Sequence, residues 1–384
     1  MLVGQEITVI GGGIGGLAAA LACAGRGAQV TVLERAPEIT EVGAGLQISP
    51  NGWVVLQALG LAERIAAQGV RGQAVCLRDF RRGAEVFAMP LTAGPFHFVH
   101  RADLVEALRD AALAAGVTLR LGADVASVEG DGPHSILHHA DGSHSTHGLT
   151  IGADGLHSVA RAHLNPRTRP FFTGQVAWRA VVPSRGLAPE AHVFMGPGRH
   201  LVRYPLRGGT LTNIVAVEER DGWAAEDWTL TDDPRNLAAA FTDFCPEIRD
   251  LLADVDGANL WGLFRHPVAK VWTGPALALL GDAAHPTLPF LAQGANMALE
   301  DAWVLARCLS EDSDRSAALD RYQTLRKPRT ARIVAAANDN ATHYHLRPGP
   351  YRFAAHTALR AAARVAPHVV SNRFRWIHGA DVTR

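Results

Sequence analysis

The chain has 384 residues, and 48% of them are hydrophobic, which is enough for two domains, or one large one, with a sizeable core. Basic and acidic residues number 37 each, so the net charge is zero and gives no overall sign of a nucleic-acid groove or an anionic membrane patch, although a local basic patch stays open. No uncharged apolar stretch approaches the ~20 residues that span a bilayer.

The cysteines and the first residues bear on the compartment. The four cysteines are far apart and show neither CxxC nor zinc-ligand spacing: Cys23, Cys76, Cys245 and Cys308. The first residues, "MLVGQEITVIGGG", contain no basic segment before an apolar run and no cleavage-like site. We therefore expect a cytoplasmic protein with buried thiols and no bound metal.

The first segment, "EITVIGGGIGGLAAALACAGRGAQVTVLER", predicts a strand, a glycine turn, a helix and a second strand. The helix begins at about Ile14 and ends near Gly25–Gly27, where glycine suits a C-terminal cap. Such a unit favours a parallel sheet. Farther along, a helix starts at Ser49–Pro50, another covers "HRADLVEALRDAALAAG", and a hairpin turns at Asp141–Gly142.

The pattern changes between about Phe171 and Pro267. Short strands such as "QVAWRAVV" and "HLVRYPL" alternate with glycine and proline turns, which is typical of an antiparallel sheet. An amphipathic helix around "PRNLAAAFTDF" interrupts them. After Val268 a buried strand, "ALALL", returns and is followed mostly by helix. The first domain is thus discontinuous, with the strand-rich region inserted into it.

Gly11, Gly13 and Gly16 match GxGxxG between the first strand and its helix, and Glu34 ends the second strand. In that context the glycines permit a tight turn, a close approach to a pyrophosphate and close helix packing. Free N–H groups at the helix start face the anion, and Glu34 can accept hydrogen bonds from a ribose. The pattern predicts a dinucleotide site but does not separate NAD from FAD.

Two later segments add to this site. "GADGLHSVAR" at 152–161 places Asp154 in a turn before a short helix, which a plain turn explains equally well. "GDAAHPTLPFLAQGANMALED" at 281–301 places Asp282 at the carboxyl end of the buried strand, where ligands bind in open parallel sheets. Gly294, Ala295 and Asn296 then begin a helix whose N–H groups offer partial positive charge. We expect this segment to contact two parts of one extended cofactor.

Together, "GGGIGG", "LERA", "GADGLHS" and the 281–301 segment resemble the single-component FAD-dependent aromatic hydroxylases. "GAGLQISPNG", "HRADL", "YPLRGG" and "YQTLRKPRTARIV" resemble the salicylate hydroxylase and 3-hydroxybenzoate 6-hydroxylase branch. The similarity covers nearly the whole chain. It implies an α/β fold with a discontinuous Rossmann-like FAD-binding domain (1–72, 98–170 and 268–345), an inserted substrate domain with a mixed or antiparallel sheet (73–97 and 171–267) and a C-terminal helical segment (346–384).

Carried over by position, the resemblance implies a set of FAD-binding residues. They are Gly11, Gly13, Ile14, Gly15, Gly16, Glu34, Arg35, Gln47, Arg101, Asp154, Asp282, Gly294, Ala295 and Asn296. Asp282 would hold the ribityl or pyrophosphate portion, and Asp154 with Gly155 is associated with both FAD and NAD(P)H. No second GxGxxG occurs in the sequence, which fits a family where NADH or NADPH binds only transiently.

The resemblance implies that a small aromatic, of the salicylate or 3-hydroxybenzoate type, is hydroxylated by dioxygen through a flavin hydroperoxide after NADH or NADPH reduces the FAD. Loss of the ring hydroxyl proton eases oxygen transfer, and histidine suits that role. Strand alternation in "HLVRYPL" puts His200, Val202 and Tyr204 on one face. If that face lines the pocket, His200 is the base and Tyr204 a hydrogen-bond partner; if it faces solvent, neither acts.

Several interpretations stay open. Arg179 and Arg203 could pair with a substrate carboxylate, or they could be surface arginines. Phe290 could pack against the substrate ring, or it could pack against the core. We interpret His285 as a structural histidine. A flavin-dependent dehydrogenase or oxidase without oxygen transfer, and a non-catalytic FAD-binding protein, are the alternatives to a hydroxylase. A homodimer is compatible with the family.

Overall fold

The computed structural model describes residues 2–39, 44–130, 132–222, 230–365 and 373–384. Gly43, the first residue of "GAGLQISPNG", lies outside them. Within the described residues the strands are β1 (Glu6–Ile10), β2 (Gln29–Glu34), β3 (Gly45–Ile48), β4 (Val70–Arg71), β5 (Ala74–Asp79), β6 (Glu85–Pro90), β7 (His97–His100), β8 (Thr118–Leu121), β9 (Val125–Glu129), β10 (Ser135–His139), β11 (His144–His147), β12 (Thr150–Gly152), β13 (Phe171–Pro183), β14 (Glu190–Gly196), β15 (Arg199–Leu206), β16 (Leu211–Glu219), β17 (Thr231–Asp232), β18 (Ala258–Arg265), β19 (Thr273–Gly274) and β20 (Leu277–Leu279).

The helices within the described residues lie between these strands and after the last of them. They are α1 (Ile14–Ala24), α2 (Pro50–Ala58), α3 (Ala62–Gln68), α4 (Arg101–Ala114), α5 (Val159–Leu164), α6 (Pro234–Ala240), α7 (Pro246–Leu252), α8 (Gly294–Glu311), α9 (Arg315–Tyr344), α10 (Pro350–Val365) and α11 (Arg375–His378), with 3-10 turns at Arg207–Gly209, Gly281–Ala283 and Pro289–Leu291.

The central strands of the first sheet, β1, β12 and β20, are short and mostly buried on both faces, as is typical of parallel sheets. Its order is β19-β20-β12-β1-β2-β8, and all neighbours are parallel except β19, which pairs antiparallel at one edge. Ile7, Val9 and Ile10 of β1 are buried, and α1 packs against β1, β2 and α8. The glycine turn after β1 and the Asp282 loop after β20 therefore open at the same edge of the sheet.

The second sheet has the order β17-β18-β13-β16-β15-β14-β5-β6. Its neighbours are antiparallel except β14 and β5, which run parallel, so the sheet is mixed. All its strands lie within 74–90 and 171–265, inside the two segments predicted for the inserted domain. One face, with Trp178 and Ile214, packs against Phe241 and Phe244; the opposite face lines a cavity.

The helix predicted over "PRNLAAAFTDF" is shorter in the structure, since α6 ends at Ala240. Phe241 and Phe244 leave the helical path and pack against each other, with Phe241 edge-on to Trp178 and Phe244 edge-on to Phe80. Burial of these rings under the sheet outweighs the continuation of the helix.

The C-terminal helices complete the fold around the cavity. α9 packs on α8 and continues through Pro328, and α10 packs on β6. Among the described helices, none combines the length and apolar character that crossing a membrane requires. The α/β fold with a Rossmann-like sheet, an inserted mixed sheet and C-terminal helices is as the sequence predicts.

Candidate active site

The glycine turn after β1 is fixed by contacts within the protein at two of its glycines. Gly11 has φ +105°, and a Cβ there would lie 2.5 Å from the Ala153 carbonyl oxygen. A Cβ on Gly16 would lie 1.9 Å from the Gly11 carbonyl oxygen. A larger residue at Gly11 would push the turn away from the end of β12. A larger residue at Gly16 would push α1 away from the turn. Neither glycine lines the cavity among the described residues.

Gly13 differs from both, because a Cβ there would meet nothing within 4 Å. It has ordinary backbone angles (φ −78°, ψ −175°), caps the N-terminus of α1 and lines the cavity with Ile14 and Gly15. The absence of a side chain therefore leaves open space in front of the first N–H groups of α1. A pyrophosphate fits this cradle, since it needs both the space and the donors.

Glu34 lies beside this turn at the end of β2. Its carboxylate accepts hydrogen bonds from the backbone N–H of Gly12 (2.6 Å) and of Ala36 (2.9 Å), so it holds the turn against the strand end. Each carboxylate oxygen keeps a second lone pair for a ribose hydroxyl. Arg35 is exposed and lines the outer end of the cavity, whereas Glu34 does not line it.

Asp154 lines the cavity but its carboxylate is already engaged. It accepts hydrogen bonds from Ser158 Oγ (2.5 Å) and the Val159 N–H (2.7 Å) and so caps the start of α5. Burial raises the pKa of this carboxyl even though these hydrogen bonds oppose the shift. The side chain thus shapes the "GADG" turn, and the adjoining Gly155 backbone faces the cavity.

Arg161 was not among the predicted site residues, yet it connects two of the three motifs. Its guanidinium is buried and donates to the carbonyls of Pro267 (2.6 Å), Ala283 and Ala284 (3.2 Å each). Burial lowers its pKa to about 10. Only its position in "GADGLHSVAR" could have indicated a role, because its acceptors are backbone atoms distant in sequence.

Asp282 sits in the 3-10 turn after β20 and opens onto the cavity. Its side chain is exposed to the cavity, and partial enclosure by the protein raises the pKa of its carboxyl, while His285 and Arg101 oppose the shift. Arg101, at the start of α4, lines the same cavity. Asp282 therefore combines an acceptor for a hydroxyl with a nearby cation, as the ribityl and phosphate portions of FAD need.

A buried ion network supports this turn from below. Asp301 Oδ2 accepts from the Gly281 N–H (3.0 Å) and shares a hydrogen bond with His285 Nε2 (2.5 Å). Arg326 pairs with both Asp301 (2.6 Å) and Glu300 (2.5 Å). All these side chains are buried. His285 is thus structural, as we interpreted it, and the final "ED" of the 281–301 segment belongs to its framework.

The start of α8 brings Gly294 and Ala295 to the cavity, together with Gln47 from β3. Asn296 lies behind them, fully buried, and does not line the cavity among the described residues. Its Oδ1 accepts from the Ser49 N–H (3.0 Å), and its Nδ2 donates to the Gln47 carbonyl (2.9 Å). Asn296 therefore positions β3 against α8, and any effect on a cofactor passes through Gln47.

The opposite wall of the cavity is a face of the second sheet. Strand alternation brings His200, Val202 and Tyr204 to it, so this face lines the pocket and does not face bulk solvent. Arg179 projects from the same face, with its guanidinium carbon 4.9 Å from the centroid of Trp261. Arg203 points the other way, where it forms an ion pair with Glu247.

The whole cavity has a volume of about 890 Å³ and runs from the glycine turn, past Asp282 and the start of α8, to the second sheet. Backbone donors, an acid and a cation lie along the first part, and an apolar wall lies along the second. This arrangement fits an extended cofactor with a phosphate portion and an aromatic ring. The residues present therefore fit FAD.

Comparisons with known proteins agree with this geometry. The FAD binding domain family matches residues 5–337. The chain is 38% identical to 3-amino-4-hydroxybenzoate 2-monooxygenase of Streptomyces cremeus, over 90% of this chain and 89% of that protein. It is 35% identical to 3-hydroxybenzoate 6-hydroxylase of Polaromonas naphthalenivorans, over 88% of each. Klebsiella pneumoniae HpxO, solved with FAD and uric acid, superposes with a TM-score of 0.84 at 27% identity, covering 94% of each chain. The chain belongs to the FAD binding domain family and is an FAD-dependent aromatic hydroxylase.

Proposed function

We propose that this enzyme hydroxylates a small phenolic acid of the hydroxybenzoate class, including amino-substituted members. The single observation that carries the proposal is the composition of the cavity wall formed by the second sheet. Among the described residues of that wall, only Arg179, His200, Tyr204 and the Trp261 indole carry polar side-chain atoms; the rest are apolar or glycine. One cation, Arg179, and two side chains that can bond a hydroxyl, His200 and Tyr204, on an otherwise apolar and aromatic wall match a carboxylate and a hydroxyl on one aromatic ring.

The strand register supports this match. Arg179 lies opposite Val215, and Val215 lies opposite Val202 on the next strand, between His200 and Tyr204. Neighbouring strands are ~4.8 Å apart, so two steps place the Arg179 backbone roughly 10 Å from the backbone of Val202. Side chains that lean inward from that distance can hold opposite ends of a hydroxybenzoate.

Arg179 is suited to a substrate carboxylate because its guanidinium stacks on Trp261 and forms no ion pair among the described residues. In the part of the chain that the structure describes, no carboxylate pairs with Arg179, and its buried Nε has no hydrogen-bond partner. Burial lowers its pKa to about 10, which still leaves the guanidinium charged at neutral pH. A half-buried cation without an anion from the protein gains from a bound one.

Tyr204 and His200 are placed for the ring hydroxyl. Burial raises the pKa of Tyr204, so the phenol keeps its proton and can donate a hydrogen bond. His200 shares a hydrogen bond through Nδ1 with His345, which leaves Nε2 for a ligand. Phe290 packs edge-on against the His200 ring at 5.0 Å between ring centroids. His200 would accept the hydroxyl proton, Tyr204 would orient the oxygen, and Phe290 would exclude water.

These positions assign different tasks to the cofactor and to the protein. Bound FAD, reduced by NADH or NADPH, supplies the activation of dioxygen for transfer to the ring. Gly13, Asp282 and the start of α8 would hold the cofactor, and the apolar wall keeps solvent from the reacting groups. Removal of the hydroxyl proton makes the ring more electron-rich at the position that accepts oxygen.

The test is a screen of phenolic acids for accelerated NADH and NADPH oxidation by the purified yellow protein, with the product identified by mass. Arg179→Gln should raise KM for 3-hydroxybenzoate and 3-amino-4-hydroxybenzoate about 10-fold to 150-fold, the worth of a charged hydrogen bond of roughly 1.5–3 kcal/mol. The uncarboxylated parent phenols should be unaffected. Arg203→Gln, on β15 and on the opposite face of the same sheet, is the matched control. Equal effects on acids and parent phenols would contradict a carboxylate site at Arg179.

We further propose a cytoplasmic location and a homodimer. The cysteines support the cytoplasmic location, because all four are buried and form no disulfide: Cys23, Cys76, Cys245 and Cys308. Fractionation of expressing cells and analytical ultracentrifugation of the purified protein test the two statements, and a secreted or monomeric protein would contradict them.

A further inference from the structure

We infer that His345 and Glu219 continue from His200 as a proton path that connects the cavity with the protein surface. The inference rests on the proposed function, since it requires a phenolic substrate whose hydroxyl meets His200. Neither His345 nor Glu219 lines the cavity among the described residues, so both would act through His200.

Three elements that are distant in sequence form the path. His200 lies in β15, Glu219 is the last residue of β16, and His345 directly follows α9. His200 Nδ1 is 2.7 Å from His345 Nε2, and His345 Nδ1 is 2.8 Å from Glu219 Oε1. His200 and His345 are 1% and 5% exposed, whereas the Glu219 side chain is 49% exposed. The chain of contacts therefore runs from a dry interior to water.

The acceptor at the outer end fixes where the protons sit. A carboxylate only accepts hydrogen bonds, so the Nδ1 of His345 must carry the proton that it shares with Glu219. A neutral His345 then has a bare Nε2, and His200 must donate to it from Nδ1. The remaining nitrogen, His200 Nε2, carries a lone pair. The hydrogen bonds thus orient His200 with its basic atom available to the cavity.

The surroundings of His200 favour transfer of a bound proton to His345 over its retention on His200. Burial lowers the pKa of His200 well below its usual value, and His345 beside it adds to the shift. Burial also lowers the pKa of His345, although Glu219 opposes this. The other rings against His200 are Phe290 and Tyr344, and burial raises the pKa of Tyr344 to about 12, so neither ring offers a counter-charge. An imidazolium at His200 is therefore unstable unless its charge moves outward.

The transfer balances without any further reactant. The substrate O–H bond breaks and its electron pair stays on the phenolate, while the proton binds His200 Nε2. The Nδ1 proton of His200 moves to His345 Nε2, and the Nδ1 proton of His345 moves to Glu219 and from there to water. One proton enters and one leaves, and the same path in reverse returns a proton to the product.

A coloured phenol tests the path without turnover. The probe is 4-hydroxy-3-nitrobenzoate, whose phenolate is yellow, mixed with the oxidised FAD holoenzyme in a stopped-flow instrument at a pH below the pKa of the free phenol, so that the probe enters protonated. Absorbance follows ionisation of the probe, and a pH indicator in weakly buffered solution follows release of the proton. The variants are His345→Gln and Glu219→Gln. The matched control is Glu218→Gln, because Glu218 precedes Glu219 in the same strand and pairs with Arg220.

In the wild-type protein and in Glu218→Gln, we expect the probe to ionise and one proton to appear in solution at the same rate. In His345→Gln and Glu219→Gln, proton release should slow on the order of 10-fold to 100-fold, within the range of a lost acid–base group. Added imidazole buffer should restore much of the rate of probe ionisation, which the absorbance of the probe follows, because imidazole supplies another acceptor. Equilibrium binding of the probe and FAD content should stay as in the wild type.

Each other outcome overturns a distinct statement. Wild-type proton release in both path variants would refute the path. A slow phase that imidazole does not restore, together with weaker probe binding, would show that His345 only tethers the end of α9. A probe that binds wild-type holoenzyme but remains protonated would refute the role of His200 as well. Failure of the probe to bind at all would contradict the proposed phenolic-acid substrate.

Discussion

Substitution of Gly13 by alanine separates a cofactor contact from a folding requirement. The backbone of Gly13 has angles that alanine adopts freely, and the added Cβ would meet no protein atom within 4 Å. The apoprotein should therefore keep its free energy of unfolding to within about 1 kcal/mol, because the loss of a glycine N-cap and the lower entropy of the unfolded chain act in opposite directions. The new methyl group would project into the space in front of the N-terminus of α1, where the pyrophosphate of FAD is expected.

The loss of affinity can be estimated from the donors that the methyl group would block. One hydrogen bond to a charged group contributes roughly 1.5–3 kcal/mol, which corresponds to about a 10-fold to 150-fold rise in Kd for FAD. Quenching of flavin fluorescence on titration of the apoprotein measures Kd, and urea denaturation of the apoprotein measures stability. Gly16→Ala is the opposite case, because its Cβ would lie 1.9 Å from the Gly11 carbonyl oxygen and must distort the turn.

Gly16→Ala should unfold at lower urea concentration, while Gly13→Ala should unfold normally and bind FAD weakly. Wild-type FAD affinity in Gly13→Ala would refute the placement of the pyrophosphate at the start of α1. Equal destabilisation of both apoproteins would refute the view that the space at Gly13 is open.

Four further predictions concern the same cavity and its support. Asp282→Ala should lower FAD retention during gel filtration, because it removes the acceptor that opens onto the cavity; full FAD occupancy would count against this role. His200→Ala should slow hydroxylation more than flavin reduction in rapid-mixing experiments, and equal slowing of both steps would remove it as the base. Arg326→Leu should lower the free energy of unfolding by about 3–5 kcal/mol in urea titrations, because it removes the buried cation that Glu300 and Asp301 share and leaves Arg329 as the salt-bridge partner of Glu300 and His285 as the partner of Asp301; a change below about 1 kcal/mol would refute this. For Asp301, burial raises the pKa, but the neighbouring cations outweigh burial and leave it below its usual value, as they do for Glu300. Their stabilisation is therefore present above the ordinary carboxyl pKa and should fade as pH falls through the lowered values; a wild-type stability independent of pH between neutrality and acid would contradict this.

The local motifs could be predicted from sequence because each is defined by neighbouring residues. The glycine turn, the start of α1 at Ile14 and the hairpin around Asp141–Gly142 depend on backbone angles and short-range alternation. The face of β15 that carries His200 and Tyr204 follows from period-two alternation alone. The family resemblance then placed these motifs around one cofactor.

The connections between motifs could not be predicted, since they join residues that the sequence separates widely. Arg161 reaches carbonyls more than a hundred positions away, and any residue could supply those acceptors. His345 meets His200 only because α9 returns its end to the second sheet. Asn296 belongs to a recognised motif, but whether it faces the cavity or packs behind Gln47 depends on the rotation of α8, which the motif does not specify.

The position of β20 between β12 and β19 also sets an order of events during synthesis of the polypeptide. β1, α1 and β2 leave the ribosome early, but β12 keeps an unpaired edge until residues 277–279 have been made. The strands of the inserted sheet, which end at Arg265, are complete before that edge is covered. An exposed edge strand invites wrong pairing, and contacts between distant residues form slowly. Nascent chains that stop before β20 should therefore be the aggregation-prone species. Capture of FAD should follow the synthesis of β20.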